Sequence, residues 1–322
     1  MLGGIAGELR KKPSACLYLS ECDFRLILIF PLINPPRFNL TLTILRPASA
    51  CGAIVRRIYA LISSSATIAA SSIIEPGVVI GPHVVVGPFC FISTGVRIGE
   101  GSVIASHVVI NGDTSIGREN RIGMGSSIGE VSQDLKYNGE AASLDIGDGN
   151  EIGRHSTLHR GTEQGGGVTR IGDQNIFQAG VHIGHDCQVG NHTSMGDHSG
   201  LAGHVTLGDY SQLGALCAVH QFCIVGTGSL LLDNTCVVQD VPPFVVASGN
   251  RAVPRGINER ALAFTRANAV ERKVIRHLYD LLYHQQVAAD VVKLEIERLS
   301  AEHPILCQFN DFFTRSTRGI IR

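Results

Sequence analysis

An aliphatic residue recurs at every sixth position from Ile68 through Ile74, Ile80, Val86, Ile92, Ile98, Ile104, Ile110, Ile116 and Ile122 to Ile128. The beat resumes at Ile146, Ile152 and Leu158, and then runs without a phase break from Ile171 to Val237. A period of six is neither the 3.6 of an amphipathic helix nor the 2 of a half-buried strand. With Gly following the beat residue at Gly81, Gly87, Gly99, Gly117, Gly123 and Gly129, it predicts a parallel β-helix of hexapeptides, each turning a corner of a triangular prism. Most of the 37 glycines thereby fall at repeat positions, where a tight corner needs a residue without Cβ. The prism is assigned to residues 61–245.

The flanks do not follow the beat. Residues 1–60 carry eight basic residues against three acidic ones, and their apolar run Leu26–Ile33, broken by Pro31, is too short to span a bilayer. They read as an N-terminal extension or a misassigned start, whose removal should leave function intact; an organelle-targeting leader is the competing reading. After Pro242 and Pro243, residues 246–322 read as a helical domain that caps the prism. One apolar stripe there contains Val270, Ile275, Leu278, Leu281 and Leu282, and another contains Val287, Val291, Leu294 and Leu299. A net charge of −1 gives no general attraction to nucleic acid or anionic membrane. Nine cysteines without a CxxC suggest a reduced, cytoplasmic setting. Cys90, Cys187, Cys217 and Cys223 each fall at an inward position and read as small core residues.

Three hexapeptides make a coil of 18 residues, so residues 18 apart in an unbroken stretch stack about 4.8 Å from one another. Applied to Ile171–Val237, this spacing places Gly203 over His185, Gln221 over Gly203, His204 over Asp186 and His220 over Ala202. With His182, they gather on one edge over three coils. Imidazole is suited to removing a proton near neutrality, an adjacent carboxylate can stabilise the imidazolium that forms, and a glycine lets a backbone N–H approach a developing oxyanion. A lone histidine such as His83, His107, His192 or His198 reads as a surface residue instead.

Two segments abandon the beat. Residues 130–145 are assigned to a loop, with Ile128 and Ile146 taken as one full coil apart, and Gln133, Asp134 and Lys136 offer binding groups on it. Residues 164–170, QGGGVTR, shift the phase by one residue and are assigned to a second loop.

The strings SHVVINGDTSIG from Ser106, IGEVSQDLKYNGE from Ile128, LHRGTEQGGG from Leu158, HIGHD from His182, LAGHV from Leu201, AVHQFC from Ala218, QDVPPF from Gln239 and the terminal FFTRSTRGIIR resemble, in order, the acyl-ACP:UDP-N-acetylglucosamine O-acyltransferases that begin lipid A biosynthesis. The resemblance covers roughly residues 62–322. It implies a homotrimer of left-handed parallel β-helices and transfer of an (R)-3-hydroxyacyl group from acyl carrier protein to the 3-hydroxyl of UDP-N-acetylglucosamine, with no metal or other cofactor. It further implies His185 as general base, Asp186 as its support and the Gly203 N–H as oxyanion donor. Gln133, Asp134, Lys136, His182, His204, His220, Gln221 and Asn258 match positions that line the nucleotide-sugar and acyl sites.

The chain departs from that pattern twice. ALAFTRA from Ala261 replaces a basic string, leaving Arg260 and Arg266 as candidates for phosphate and carrier contacts. LLLDNTC from Leu230 lacks a small-residue pair and leaves acyl length open. Competing readings are the N-acyltransferase of the same pathway, a zinc lyase of the γ-carbonic anhydrase type and an inactive β-helical scaffold.

Overall fold

A computed structural model describes residues 61–265, 267–285 and 287–322; the basic leader of residues 1–60 and Arg266 lie outside the described residues. Most hexapeptides contribute a two-residue strand, such as Ile73–Ile74, Phe91–Ile92 and Val109–Ile110. The strands stack into three sheets of 11, 9 and 8 strands, and the molecule is a left-handed parallel β-helix followed by helices. Ile74 pairs with Ile92 and Ile92 with Ile110, which is the predicted register of one coil.

The beat side chains point inward because alternation along each short strand sends every second residue to the prism axis. Ile92, Ile110, Ile183 and Leu201 have no exposed surface, and truncating such a residue to Ala typically costs about 2–5 kcal/mol. A second inward position lies two residues before each beat residue. It holds Val84, Val96, Val181 and Val205, and also Cys90, Cys187, Cys217 and Cys223, all buried. The Cys187 thiol donates to the Ala202 carbonyl of the next coil (3.0 Å), and burial pushes it up to about 12.

The glycine after the beat residue is needed for close approach of the next coil rather than for an unusual turn. A Cβ on Gly99 would meet the Gly117 backbone at 2.5 Å. The left-handed conformation falls two residues later, and bulky residues carry it: His83, Phe89, His107, His192, His198 and Tyr210 all have φ between +55° and +60°. The four histidines read as surface residues are exposed on these corners. Each such conformation costs roughly 1–2 kcal/mol. Ring contacts between coils offset part of it, as in the tilted pair Phe89 and His107 and the stacked pair His192 and Tyr210, both at 5.0 Å.

The two loops change the register. Ile128 and Ile146 are not one coil apart, as the 18-residue spacing suggested; they lie on successive faces, and Ile146 pairs with Ile116 and Ile171. One hexapeptide step there carries twelve extra residues, so stacked residues across the loop, such as Asn120 and Asn150, are 30 apart in sequence. The second loop gives a separation of 25, as between Asn150 and Asn175.

The prolines do not end the coil at once. Val245–Ser248 still pairs in parallel with Leu230 and Leu231, and Val253–Ile257 folds back antiparallel on it. Four helices follow: α1 (Glu259–Phe264), α2 (Ala269–Tyr283), α3 (Ala289–Ser300) and α4 (Cys307–Arg315). Asn268 and Glu271 close a reciprocal capping box at the start of α2, whose Ile275, Leu278 and Leu282 are buried. In α3 the buried pair is Val292 and Ile296, whereas Val291 and Leu294 of the predicted stripe are exposed. Both faces carry aliphatic residues, and packing against α4 selects one of them. The C-terminal tail is tied to the coil by Asp240, whose carboxylate accepts from Ile224 N–H (2.7 Å) and Ser316 O–H (2.6 Å).

Candidate active site

Both loops leave the same edge of the prism, the one that follows the strands carrying the beat residues Ile128, Leu158, Ile183, Leu201 and Val219. On two successive coils the chain swells outward there. On the next coils the edge carries His185, Asp186, Gly203 and His204.

His185 Nδ1 lies 2.8 Å from Asp186 Oδ2, and their side chains are 11% and 1% exposed. A carboxylate can only accept, so His185 donates from Nδ1 and presents Nε2 as a base. Asp186 is held further by Thr162, whose backbone N–H donates to Oδ1 and whose hydroxyl donates to Oδ2, both at 2.7 Å. One coil on, His204 Nε2 is 3.7 Å from the same Oδ2. Its ring meets His185 edge-on with centroids 5.0 Å apart, and Phe222 stacks on it at 4.4 Å. Asp186, His204 and Phe222 occupy the left-handed corner position on successive coils, with φ of +61°, +62° and +65°.

Burial makes two neighbouring histidines, His182 and His204, harder to charge. Burial pushes the His182 imidazolium below its ordinary range, helped by like charge from His159 and His185. Burial also lowers His204; Asp186 opposes the shift, His185 adds to it, and Asp134 of the longer loop opposes it. His159 fixes the root of that loop: the buried ring donates from Nδ1 to the Val131 carbonyl (2.7 Å) and packs edge-on against His182. His182 is in turn held by Thr157 Oγ1 at 2.8 Å.

Gly203 lies over His185 as the 18-residue spacing requires. A Cβ on it would come within 2.5 Å of the imidazole Nε2, so only glycine leaves room for the ring. Its N–H has no acceptor among the described residues. At several equivalent places on other edges the amide is occupied: Asp173 N–H donates to Asn191, Ala179 to Asp197 and Ala215 to Asp233. At others, such as Asp197 and Asp209, it is open as at Gly203, and what sets Gly203 apart is the imidazole stacked beside it. An open amide beside an open imidazole nitrogen is a base next to an oxyanion donor.

The remaining predicted residues are placed less tightly. His220 and Gln221 sit one coil beyond Gly203 and are exposed, with His220 Nδ1 donating to the Gln221 carbonyl (3.2 Å). Gln133 and Lys136 are exposed on the longer loop, where the Asp134 carboxylate accepts from the Lys136 N–H at 2.9 Å. Asn258 is buried and occupied at both ends. Its amide donates to the Gly228 carbonyl (2.8 Å), and its oxygen caps α1 by accepting from Ala261 N–H (3.2 Å). Thr162 and His159 join the site without being among the residues predicted from the repeat. Both stand in the string LHRGTEQGGG, just before a phase break, where an 18-residue ruler no longer applies.

His185, Asp186 and His204 each have a ligand-type atom within 4.8 Å of the others. As a metal site the set is poor: the carboxylate oxygens already accept three hydrogen bonds, and two imidazoles remain where a histidine-ligated zinc hydratase uses three.

Residues 240–321 match the family described as UDP-N-acetylglucosamine O-acyltransferase, domain 2. Among solved structures, the chain is similar to the UDP-N-acetylglucosamine acyltransferase of Francisella novicida, with 36% identity over 81% of this chain and 94% of that one and a TM-score of 0.73. It is also similar to the UDP-N-acetylglucosamine O-acyltransferase of Moraxella catarrhalis (36% identity, 81% and 99% covered, TM-score 0.69). The UDP-N-acetylglucosamine acyltransferase of Arabidopsis shares 28% identity over 81% of this chain and all of that one, with a TM-score of 0.66.

Proposed function

The chain belongs to the UDP-N-acetylglucosamine O-acyltransferases, and from that premise we propose that His185 is the general base of its acyl transfer, supported by Asp186 and facing the Gly203 amide. The activity is the first step of lipid A biosynthesis. In our reading the sugar 3-hydroxyl loses its proton to His185 Nε2 as its oxygen attacks the thioester carbonyl of an (R)-3-hydroxyacyl carrier protein. The new C–O bond gives a tetrahedral oxyanion, to which the Gly203 N–H donates. Collapse breaks the C–S bond, and the departing thiolate takes the proton from His185, restoring the base and leaving free carrier thiol and acylated sugar nucleotide. No acyl-enzyme and no metal enter this scheme.

The observation that carries it is the pairing of a base whose Nδ1 proton is fixed by Asp186 with an adjacent amide that has no acceptor among the described residues. His182 and His204, lowered by burial, serve in this reading as donors or acceptors for the sugar, and Gln133, Asp134 and Lys136 contribute binding groups from the longer loop. A homotrimer is part of the proposal. It is supported by apolar residues left exposed on the outer strand faces, Ile73, Val85 and Ile176, and by the fully exposed Leu135 at the loop tip. No helix among the described residues is long and apolar enough to cross a membrane, and we place the enzyme in the cytoplasm, where acyl carrier protein is available.

The test is an acyl-transfer assay with UDP-N-acetylglucosamine and a series of 3-hydroxyacyl carrier proteins, comparing the full chain with His185→Ala. We expect a loss of at least about a hundredfold, the low end for removing a general base. An unchanged rate refutes the assignment.

A further inference from the structure

Asp186 is an unusually well-bound carboxylate, and two of its hydrogen bonds come from Thr162, in the string LHRGTEQGGG but outside the predicted site residues. Thr162 reaches it twice, through its backbone N–H and its hydroxyl. The hydroxyl has a fixed direction: it accepts from Gly165 N–H (3.2 Å), so its own proton goes to Asp186 Oδ2. Gly165 closes the third side. A Cβ there would run into the carboxylate itself, and the turn Glu163–Gly165 that carries it is capped by Thr162.

Asp186 Oδ2 receives two donors, the Thr162 hydroxyl and His185 Nδ1–H, at 2.7 and 2.8 Å. With one lone pair occupied by Thr162, the carboxylate can neither rotate away from the imidazole nor draw its proton fully across. Both effects keep the proton on Nδ1 and leave Nε2 open towards the substrate. An orienting carboxylate that loses this control of the tautomer costs an acyl-transfer base much of its rate.

We infer that Thr162 is a positioning residue of the reaction: together with Gly165 it holds the Asp186 carboxylate in the one orientation that sets the His185 tautomer, so the shorter loop acts as a brace on the catalytic pair. This rests on the assignment of His185 as the base. The two are tested separately, because His185→Ala tests the base and Thr162 variants test the brace.

The experiment uses full-length protein with Thr162→Val, Thr162→Ser and Gly165→Ala, beside His185→Ala. Valine keeps the shape and the backbone N–H but removes the hydroxyl. We expect kcat to fall about tenfold, the scale of a hydrogen bond to a charged group, with KM for UDP-N-acetylglucosamine unchanged within about twofold. Serine restores most of the loss. Nitrogen-15 NMR of labelled histidine should show His185 protonated at Nδ1 in the wild type and Thr162→Ser, and a mixture of tautomers in Thr162→Val. Gly165→Ala, which displaces the carboxylate without removing a donor, should shift the tautomer in the same way. If His185→Ala is inactive while Thr162→Val keeps its kcat and its tautomer, the brace is wrong and the base stands. If Thr162→Ser is as slow as Thr162→Val, the methyl group and not the hydroxyl matters, and the inference is overturned.

Discussion

His185 and Asp186 are neighbours in sequence and also hydrogen-bonded to each other, at 2.8 Å between Nδ1 and Oδ2. On an extended strand that could not happen, because successive side chains leave on opposite faces. It happens because Asp186 occupies the left-handed corner position, with φ of +61°, which turns its carboxylate back alongside the preceding imidazole. The catalytic pair is therefore a product of the corner.

Gly203→Ala should be nearly as damaging as loss of the base. The new Cβ would overlap the His185 ring and displace Nε2 from the amide. We expect a fall in kcat of about a hundredfold, the size associated with an oxyanion donor, with the thermal midpoint little changed. Steady-state kinetics and a melting curve on the same sample check both halves; a fully active variant would remove Gly203 from the site.

Mild acid should destabilise the fold through His182 and His204. Both are lowered by burial, so between their unfolded value near 6.5 and their folded values the unfolded chain binds more protons. Stability then rises with pH in that window and is lost as pH falls below about 6.5. Melting temperatures measured at pH 7.5, 6.5 and 5.5 should drop towards the acid side, and the double variant His182→Gln, His204→Gln should show a shallower drop than wild type.

Native thiol chemistry should discriminate sharply among the cysteines. Cys187 and Cys223 are buried and pushed up to about 12 and about 11, whereas Cys307 is exposed. Since the thiolate is the reactive form, an alkylating reagent at pH 8 should label Cys307 within minutes and reach Cys187 only after denaturation, as read by peptide mass spectrometry. Cys187→Ala should retain kcat within about threefold, since the thiol fills the core and faces a carbonyl.

Asn258→Ala should act on stability before it acts on turnover. The side chain caps α1 and ties it to Gly228, and loss of such a cap costs about 0.5–2 kcal/mol. Chemical denaturation should show that loss, and Asn258→Asp, which keeps the capping oxygen, should recover part of it. A fully stable Asn258→Ala with a raised KM would instead make Asn258 a substrate contact alone.

The parts of the site that could be read from the sequence are those inside the unbroken stretch from Ile171 to Val237. There the separation of 18 holds at every coil, and Gly203 over His185 and His204 over Asp186 follow from arithmetic. Thr162 and His159 escaped because the loops add residues without adding coils, so the separations become 25 and 30 and no fixed ruler connects those coils. The same effect made Ile128 and Ile146 look stacked when they lie on adjacent faces. In α3 the choice between two aliphatic faces was equally closed to a sequence argument.

The sequence by itself determined the coil, its inward residues and the edge on which the histidines collect, because a six-residue hydrophobic period can be buried in only one kind of structure. Only the tertiary structure decided how that edge becomes a site. The left-handed corner turns Asp186 onto His185, and a loop from the coil below brings Thr162 to the same carboxylate. These contacts depend on where an inserted segment folds back, and that is set by hydrogen-bond satisfaction in three dimensions rather than by any repeat along the chain.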